Sequence, residues 1–302
     1  MSELSQKILA GNLRALAQAA TCIENRQPEA EDLLRELFQH TGRALILGIT
    51  GPPGAGKSTL VDRLAHLIRA EGHTAGVIAV DPTSPFSGGA ILGDRIRMLS
   101  HYEDAGVFIR SMATRGRLGG LAPATMDLAL LLDAAGRDVI FVETVGVGQG
   151  EVEIARLADV TVVVLVPGMG DDVQTLKAGI MEIASVFVIN KSDLPGADKL
   201  DDELKAMLSL AHKSNGWTPP IVRTVASEGR GIGEVMSAVR SYRQNGLAGN
   251  RKIESWGLRL REMLREKMLE RIPGAEIEAA AEAVAARQRD PYSIVHDWIK
   301  RV

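Results

Sequence analysis

Residues 44–59, ALILGITGPPGAGKST, join an apolar run to a glycine-rich loop and lead into the helical pattern STLVDRLAHLIRA. Gly51, Pro52, Pro53, Gly54, Ala55, Gly56, Lys57 and Ser58 carry the spacing G-x-x-x-x-G-K-[ST] in the context it requires, after a strand and before a helix. Glycines at 51, 54 and 56 let the backbone wrap closely enough for its amides to face a polyphosphate, and the helix amino terminus adds favourable partial charge. In such a loop Lys57 reaches the β and γ phosphates, Ser58 offers its hydroxyl to a Mg2+ ion bridging them, and Thr59 contacts the α phosphate.

On either side of this stretch, seven short apolar runs, itself included, alternate with helical segments between about Ala44 and Gln244: ALILGIT, GVIAVDPT, VFIRSMA, DVIFVETVG, VTVVVLVPG, VFVINKSD and IVRTVA. Four of them, beginning at Ala44, Asp138, Thr161 and Val186, read as strands covered on both faces, the habit of parallel sheets flanked by helices. The predicted fold is therefore α/β, a P-loop NTPase with a mostly parallel sheet over 43–246. Its function should gather where loops leave the carboxyl ends of the strands. Residues 1–42 form a helical extension: Leu4, Ile8, Leu9, Leu13 and Leu16 recur at helical spacing and a second helix covers 29–39, so two helices precede the main domain. After Gly246, LAGN reads as a hinge into a C-terminal helical arm over 247–302, with Ile253, Trp256, Leu260, Leu264 and Met268 in one apolar stripe and a further helix over 276–289. Such helices must pack on the main domain or on a second copy of the chain.

The run VFVIN ends in Asn190-Lys191-Ser192-Asp193, in the order N-K-x-D. Guanine presents N1-H and its exocyclic amine as neighbouring donors, so an ionised Asp193 accepts both, whereas adenine offers no such pair. GTP is thus preferred over ATP. The next run ends in Thr224, Val225, Ala226 and Ser227, where the Ala226 amide is placed to donate to guanine O6. A P-loop enzyme also needs an acid at a nearby strand end for the metal and the attacking water. Asp81, Asp94 and Glu143 are the candidates. Glu143-Thr-Val-Gly146 stands where many GTPases have Asp-x-x-Gly, with the Gly146 amide available to a γ phosphate. Glutamine does not directly follow that glycine, Gln149 standing three residues on, and Asp81 competes with Glu143 for the water-positioning role. Loops 82–94, 146–151 and 167–177 are candidates for ordering by the γ phosphate.

Lys and Arg number 35 against 38 Asp and Glu, a net charge of −3, so no basic footprint marks a nucleic-acid or anionic-membrane binder and any phosphate is held locally. The single cysteine, Cys22, makes no intrachain disulfide and fits a reducing compartment. The first twenty residues lack the pattern of a signal peptide, and no stretch reaches the ~18 apolar residues of a membrane span. A cytoplasmic protein is expected.

Taken together, GPPGAGKST, VDPTSPFSGGAILGDRIRM, SMATRGRLGGLA, VETVGVGQGE, VPGMGDDVQTLKAGI and NKSD resemble the MeaB/ArgK family of GTPases, relatives of the methylmalonic aciduria type A protein, over about residues 5–300. The resemblance implies a homodimeric, Mg2+-dependent GTPase, with the C-terminal helices as dimerisation arm, that converts GTP to GDP and phosphate. Its implied partner is an adenosylcobalamin-dependent acyl-CoA mutase, usually methylmalonyl-CoA mutase, which it protects and whose adenosylcobalamin delivery it gates, with the adenosyltransferase as a further candidate partner. By the same likeness Lys57, Asp81 and Glu143 are catalytic; Ser58, Asp81, Asp94 and Glu143 surround the metal; Asn190 ties its loop to the phosphate loop, and Lys191 lies along the purine. Residues 166–177 become a switch coupling nucleotide state to the partner, with Lys177 the coupling candidate. Val225 stands where relatives often have Ser. Two other readings are a P-loop kinase of the arginine/ornithine transport type and a metal-insertion GTPase, although the latter's relatives usually carry Cys and His ligands near the nucleotide.

Overall fold

The computed structural model describes residues 1–81, 101, 103–113, 123–144, 150–168, 183–210 and 216–301, with the backbone alone at 81, 113, 123, 150–152 and 247–251. Each of the seven apolar runs forms a strand: β1 Leu45–Thr50, β2 Ala75–Asp81, β3 Val107–Ala113, β4 Val139–Glu143, β5 Val160–Leu165, β6 Val186–Ile189 and β7 Ile221–Arg223. All pair in parallel, in the order β3-β2-β4-β1-β5-β6-β7. Strand β1 therefore lies between β4 and β5, and three carboxyl ends meet around the loop that follows it.

These strands belong to a first unit, Met1–Asn250, whose described helices are α1 Glu3–Leu9, α2 Leu13–Glu24, α3 Glu29–Leu37, α4 Lys57–Ala70, α5 Pro123–Ala134, α6 Gly150–Leu157, α7 Ala197–Leu210 and α8 Ile232–Gln244. Successive strand residues face opposite sides of the sheet. Val139 and Phe141 join Leu47, Ile49, Val162 and Val164 in a core closed by Leu60 and Leu64 of α4 and Val235 and Val239 of α8. Ile140 and Val142 point the other way, into a core with Leu128 and Leu132 of α5 and Leu16, Ile23 and Leu33 of α2 and α3. Both faces are covered, which is why these runs show no polar alternation.

Where two helices were expected before β1, the structure has three. Helical spacing continues from Leu4 to Leu16, but the chain turns between α1 and α2, where Asn12 Oδ1 accepts the Ala15 amide at 2.9 Å and caps α2. The start of β1 is held from α5. Asp133, buried, accepts the amides of Gly42, Arg43 and Ala44 at 2.5, 3.1 and 3.0 Å.

The second unit is Arg251–Val302. LAGN, expected to hinge, is helical backbone: α9 runs Leu247–Glu270 and the chain breaks at Gly246, with φ of 72°. Beyond it lie α10 Gly274–Ala285 and a helix not anticipated, α11 Pro291–Arg301, tied back by Trp298 Nε1, which donates to Glu276 Oε1 at 2.8 Å. Ile253, Leu260 and Leu264 of the apolar stripe are exposed, Trp256 and Met268 half-buried. Among the described residues no helix is long and apolar enough to cross a membrane.

Candidate functional site

Two glycines of the 51–59 loop are required by their surroundings. Gly51 has φ of 139°, and a Cβ there would lie 2.0 Å from the Val164 carbonyl oxygen on β5. At Gly56, the N-cap of α4, φ is 85° and a Cβ would lie 2.4 Å from Asn190 Nδ2. The loop is thus pressed against β5 and the end of β6, which no larger residue permits. Inside it, Lys57 is buried and its Nζ donates to the carbonyls of Gly51 and Pro52 at 2.8 and 3.0 Å. Pro52 and Ala55 are buried, Thr59 is half-buried, and Pro53 and Gly54 are exposed.

Ser58 Oγ donates to Glu143 Oε1 at 2.7 Å, both residues being buried. Glu143 ends β4 in register with Ile49, and the next residue fixes that end: the Thr144 amide donates to Ile49 O at 3.1 Å and its hydroxyl to Thr50 Oγ1 at 2.9 Å. The structure therefore brings together two of the four residues expected around the metal. Their hydroxyl and carboxylate are hard oxygen donors of the kind Mg2+ takes. Asp81 ends β2 two residues past Ala79, the partner of Glu143, so its backbone stands on the strand beside β4. Asp94, Gly146, Gln149 and Lys177, with most of the three candidate switch loops, lie outside the described residues.

The N-K-x-D turn closes on the same loop. Asn190, 2% exposed, donates from Nδ2 to Ala55 O at 2.8 Å, while its Oδ1 accepts the Thr224 hydroxyl at 3.0 Å and the Ala226 amide at 3.1 Å. One amide side chain thereby joins the phosphate loop to the segment after β7. The Ala226 amide, expected to face a purine oxygen, is engaged by Asn190. Lys191, at a φ of 54°, donates from Nζ to Gly54 O at 2.9 Å. Asp193 is exposed in the turn beyond. Val225 is buried and bridges to Arg230, whereas Ser227 is exposed.

Two contacts that shape this site went unread in the sequence. Thr224 supports Asn190, and Arg63 of α4 donates to the carbonyls of Ala226 and Ser227 at 3.2 and 3.1 Å, holding the post-β7 segment against the P-loop helix. A polar residue at a strand's carboxyl end was the available signal for Thr224; Arg63 looks like any charged helix residue. The assembled site offers a lysine ammonium and a glycine loop for a polyphosphate, a hydroxyl–carboxylate pair for a hard cation, and an exposed carboxylate for a donor pair.

The family model described as methylmalonyl Co-A mutase-associated GTPase MeaB matches residues 16–276. A relative from Pyrococcus abyssi is 49% identical over 313 residues, covering 100% of this chain and 97% of its own. GTPase ArgK of Escherichia coli is 40% identical over 253 residues, 80% of this chain and 76% of that protein. The mitochondrial methylmalonic aciduria type A homolog of Mus musculus is 35% identical over 259 residues, 80% of this chain and 62% of its own. Among solved structures, an LAO/AO transport system kinase superposes with a TM-score of 0.73 at 29% identity, covering 99% of this chain and 96% of that one. Hydrogenase maturation factor HypB from Archaeoglobus fulgidus, at 21% identity and a TM-score of 0.51 over 74% of this chain and 98% of its own, shares the fold alone. With the P-loop and the N-K-x-D turn joined in one site and the family model covering most of its length, the chain belongs to the MeaB family of methylmalonyl Co-A mutase-associated GTPases.

Proposed function

We propose that this GTPase converts GTP to GDP and phosphate in the 51–59 loop and that, as a cytoplasmic homodimer, it uses the cycle to chaperone an adenosylcobalamin-dependent acyl-CoA mutase. In this reading it gates adenosylcobalamin delivery and protects the mutase, methylmalonyl-CoA mutase being the enzyme named by the family description. The observation that carries the reading is the triple contact of Asn190, which links the loop for phosphates to the segment beside the base-reading turn. Lys57 exchanges the Gly51 and Pro52 carbonyls for β and γ phosphate oxygens, a stronger charge-assisted pairing. Ser58 and Glu143, with Asp81 and Asp94 as further candidates, would hold Mg2+, which would supply neutralisation of the charge that develops in phosphoryl transfer. Glu143 would accept a hydrogen bond from the attacking water. Asp193 accepts N1-H and the exocyclic amine of guanine. The exposed Ile253, Leu260 and Leu264 of α9 suit an arm that dimerises.

No glutamine follows Gly146 directly, so unaided turnover is slow and the mutase completes the site. GTP hydrolysis measured with and without methylmalonyl-CoA mutase should rise about tenfold or more when the mutase is present. An unchanged rate contradicts the chaperone reading. The likeness to an LAO/AO transport system kinase supports a second reading, phosphoryl transfer to an acceptor other than water. That reading predicts ATP outcompeting GTP for the site.

A further inference from the structure

Outside the nucleotide site, three side chains with metal-ligating atoms meet on the helix that the P-loop starts. Asp62 and His66 stand one turn apart on α4, where a spacing of four residues places them on one face. His101 comes from the chain ahead of β3. One ligand atom from each lies within 4.8 Å of the other two, the only such group among the described residues. His101 Nε2 is 3.3 Å from Asp62 Oδ1, His66 Nε2 is 3.9 Å from Asp62 Oδ2, and the two imidazole rings have centroids 4.1 Å apart. The His101 side chain is 2% exposed, Asp62 15% and His66 45%, so the cluster is closed on one side and open on the other.

We propose that Asp62, His66 and His101 form a binding site for a divalent transition-metal ion, foremost Zn2+, distinct from the Mg2+ position at Ser58. Two imidazoles and one carboxylate suit Zn2+, Ni2+ or Cu2+, whereas Mg2+ and Ca2+ take oxygen ligands. Around tetrahedral zinc, ligand atoms stand about 2.0–2.2 Å from the ion and hence roughly 3.3–3.5 Å from one another. The Asp62–His101 pair already has that separation, and the remaining adjustment falls to His66, the exposed member. Three protein ligands leave a fourth position for water or another donor.

The scaffold beneath the cluster is rigid by independent contacts. Arg69, further along α4, donates to both carboxylate oxygens of Asp104 at 2.7 and 3.0 Å, and Asp104 in turn accepts the Gly106 amide at 2.8 Å and donates its own amide to His101 O at 3.1 Å. The two backbones that carry the ligands are thus held together without a metal. An Asp62–His101 hydrogen bond needs only one imidazole; the second, brought against the first from the helix, is what a chelating site requires. Ser58, Asp62 and His66 follow at successive turns, so the ion would sit roughly 6–12 Å along the helix from the phosphate loop, tying α4 to the approach of β3.

The test is Zn2+ titrated calorimetrically into the full-length protein in excess Mg2+ and GDP, with Co2+ as spectroscopic probe. One Zn2+ per chain should bind, and Co2+ should give the visible absorption of a tetrahedral site. His66→Ala, at a position whose side chain is 45% exposed, should weaken Zn2+ about tenfold or more and remove the Co2+ bands. Asp62→Asn should do the same, and His73→Ala should leave both unchanged. Absence of stoichiometric Zn2+ binding, equal affinity in His66→Ala, or equal weakening in His73→Ala overturns the proposal.

Discussion

Asn190 commits both ends of its side-chain amide to the protein itself, and that places it differently from Asp193, three residues on, whose carboxylate faces outward. The first residue holds two loops in register; the second is exposed, and the proposed function assigns it the guanine base. Asn190→Ala leaves the Ala226 amide and the Thr224 hydroxyl without their acceptor in a buried setting, which costs about 2–4 kcal/mol of stability. It should weaken GTP and ATP alike by about tenfold or more, leaving their ratio unchanged, as denaturant unfolding and calorimetry will show. A selective loss of GTP would instead make Asn190 a base reader. At this scale the sequence was legible wherever chemistry lies within a few residues, as in GPPGAGKS and NKSD. Thr224 and Arg63 were hidden because their partners are 34 and 163 positions away, and only the fold makes them neighbours.

Strands were easy to read and helix ends were not, for one physical reason. A strand buried on both faces is apolar at every position, and the polar residues that end it mark its limits. Helical periodicity runs through the junction of α1 and α2 without a phase change, so the cap at Asn12 was needed to divide them. The resulting three-helix layer has its own electrostatic tie. Glu36 of α3 accepts the Ser5 hydroxyl at 2.5 Å and the Ser2 amide and hydroxyl at 2.7 and 2.8 Å, and these donors bring its pKa down to about 2 from an ordinary 4.5. A carboxylate with a depressed folded pKa stabilises fully above its unfolded value, and that contribution is lost as pH falls from 4.5 toward 2. Thermal unfolding from pH 7 down to pH 2 should therefore show wild type losing an advantage over Glu36→Gln across that interval. Parallel curves for the two proteins would remove Glu36 from the account.

For the whole molecule, the α/β class, a mostly parallel sheet and four of its buried strands were legible among the seven apolar runs, but the order β3-β2-β4-β1-β5-β6-β7 was not. Strand order is set by which faces and edges close best over the entire chain, a sum no local window contains. It is that order which puts β4 and β5 on either side of β1 and delivers Glu143 to Ser58 across 85 positions of sequence. The second unit's third helix, α11, was missed because PYSIVHDWIKR is short, although Asp290, whose carboxylate accepts the Ser293 amide at 2.9 Å, and Pro291 at the first helical position both mark its start. The strand order gathers the phosphate loop, Glu143 and the N-K-x-D turn at one end of the sheet, and in the proposed function these act together on GTP. The decisive experiment is competition calorimetry of GTP against ATP on wild type and Asp193→Ala. Wild type should prefer GTP and the variant should lose about 100-fold or more of that preference, the worth of two hydrogen bonds to a charged acceptor. A preference unchanged by the substitution would mean that Asp193 does not read the base.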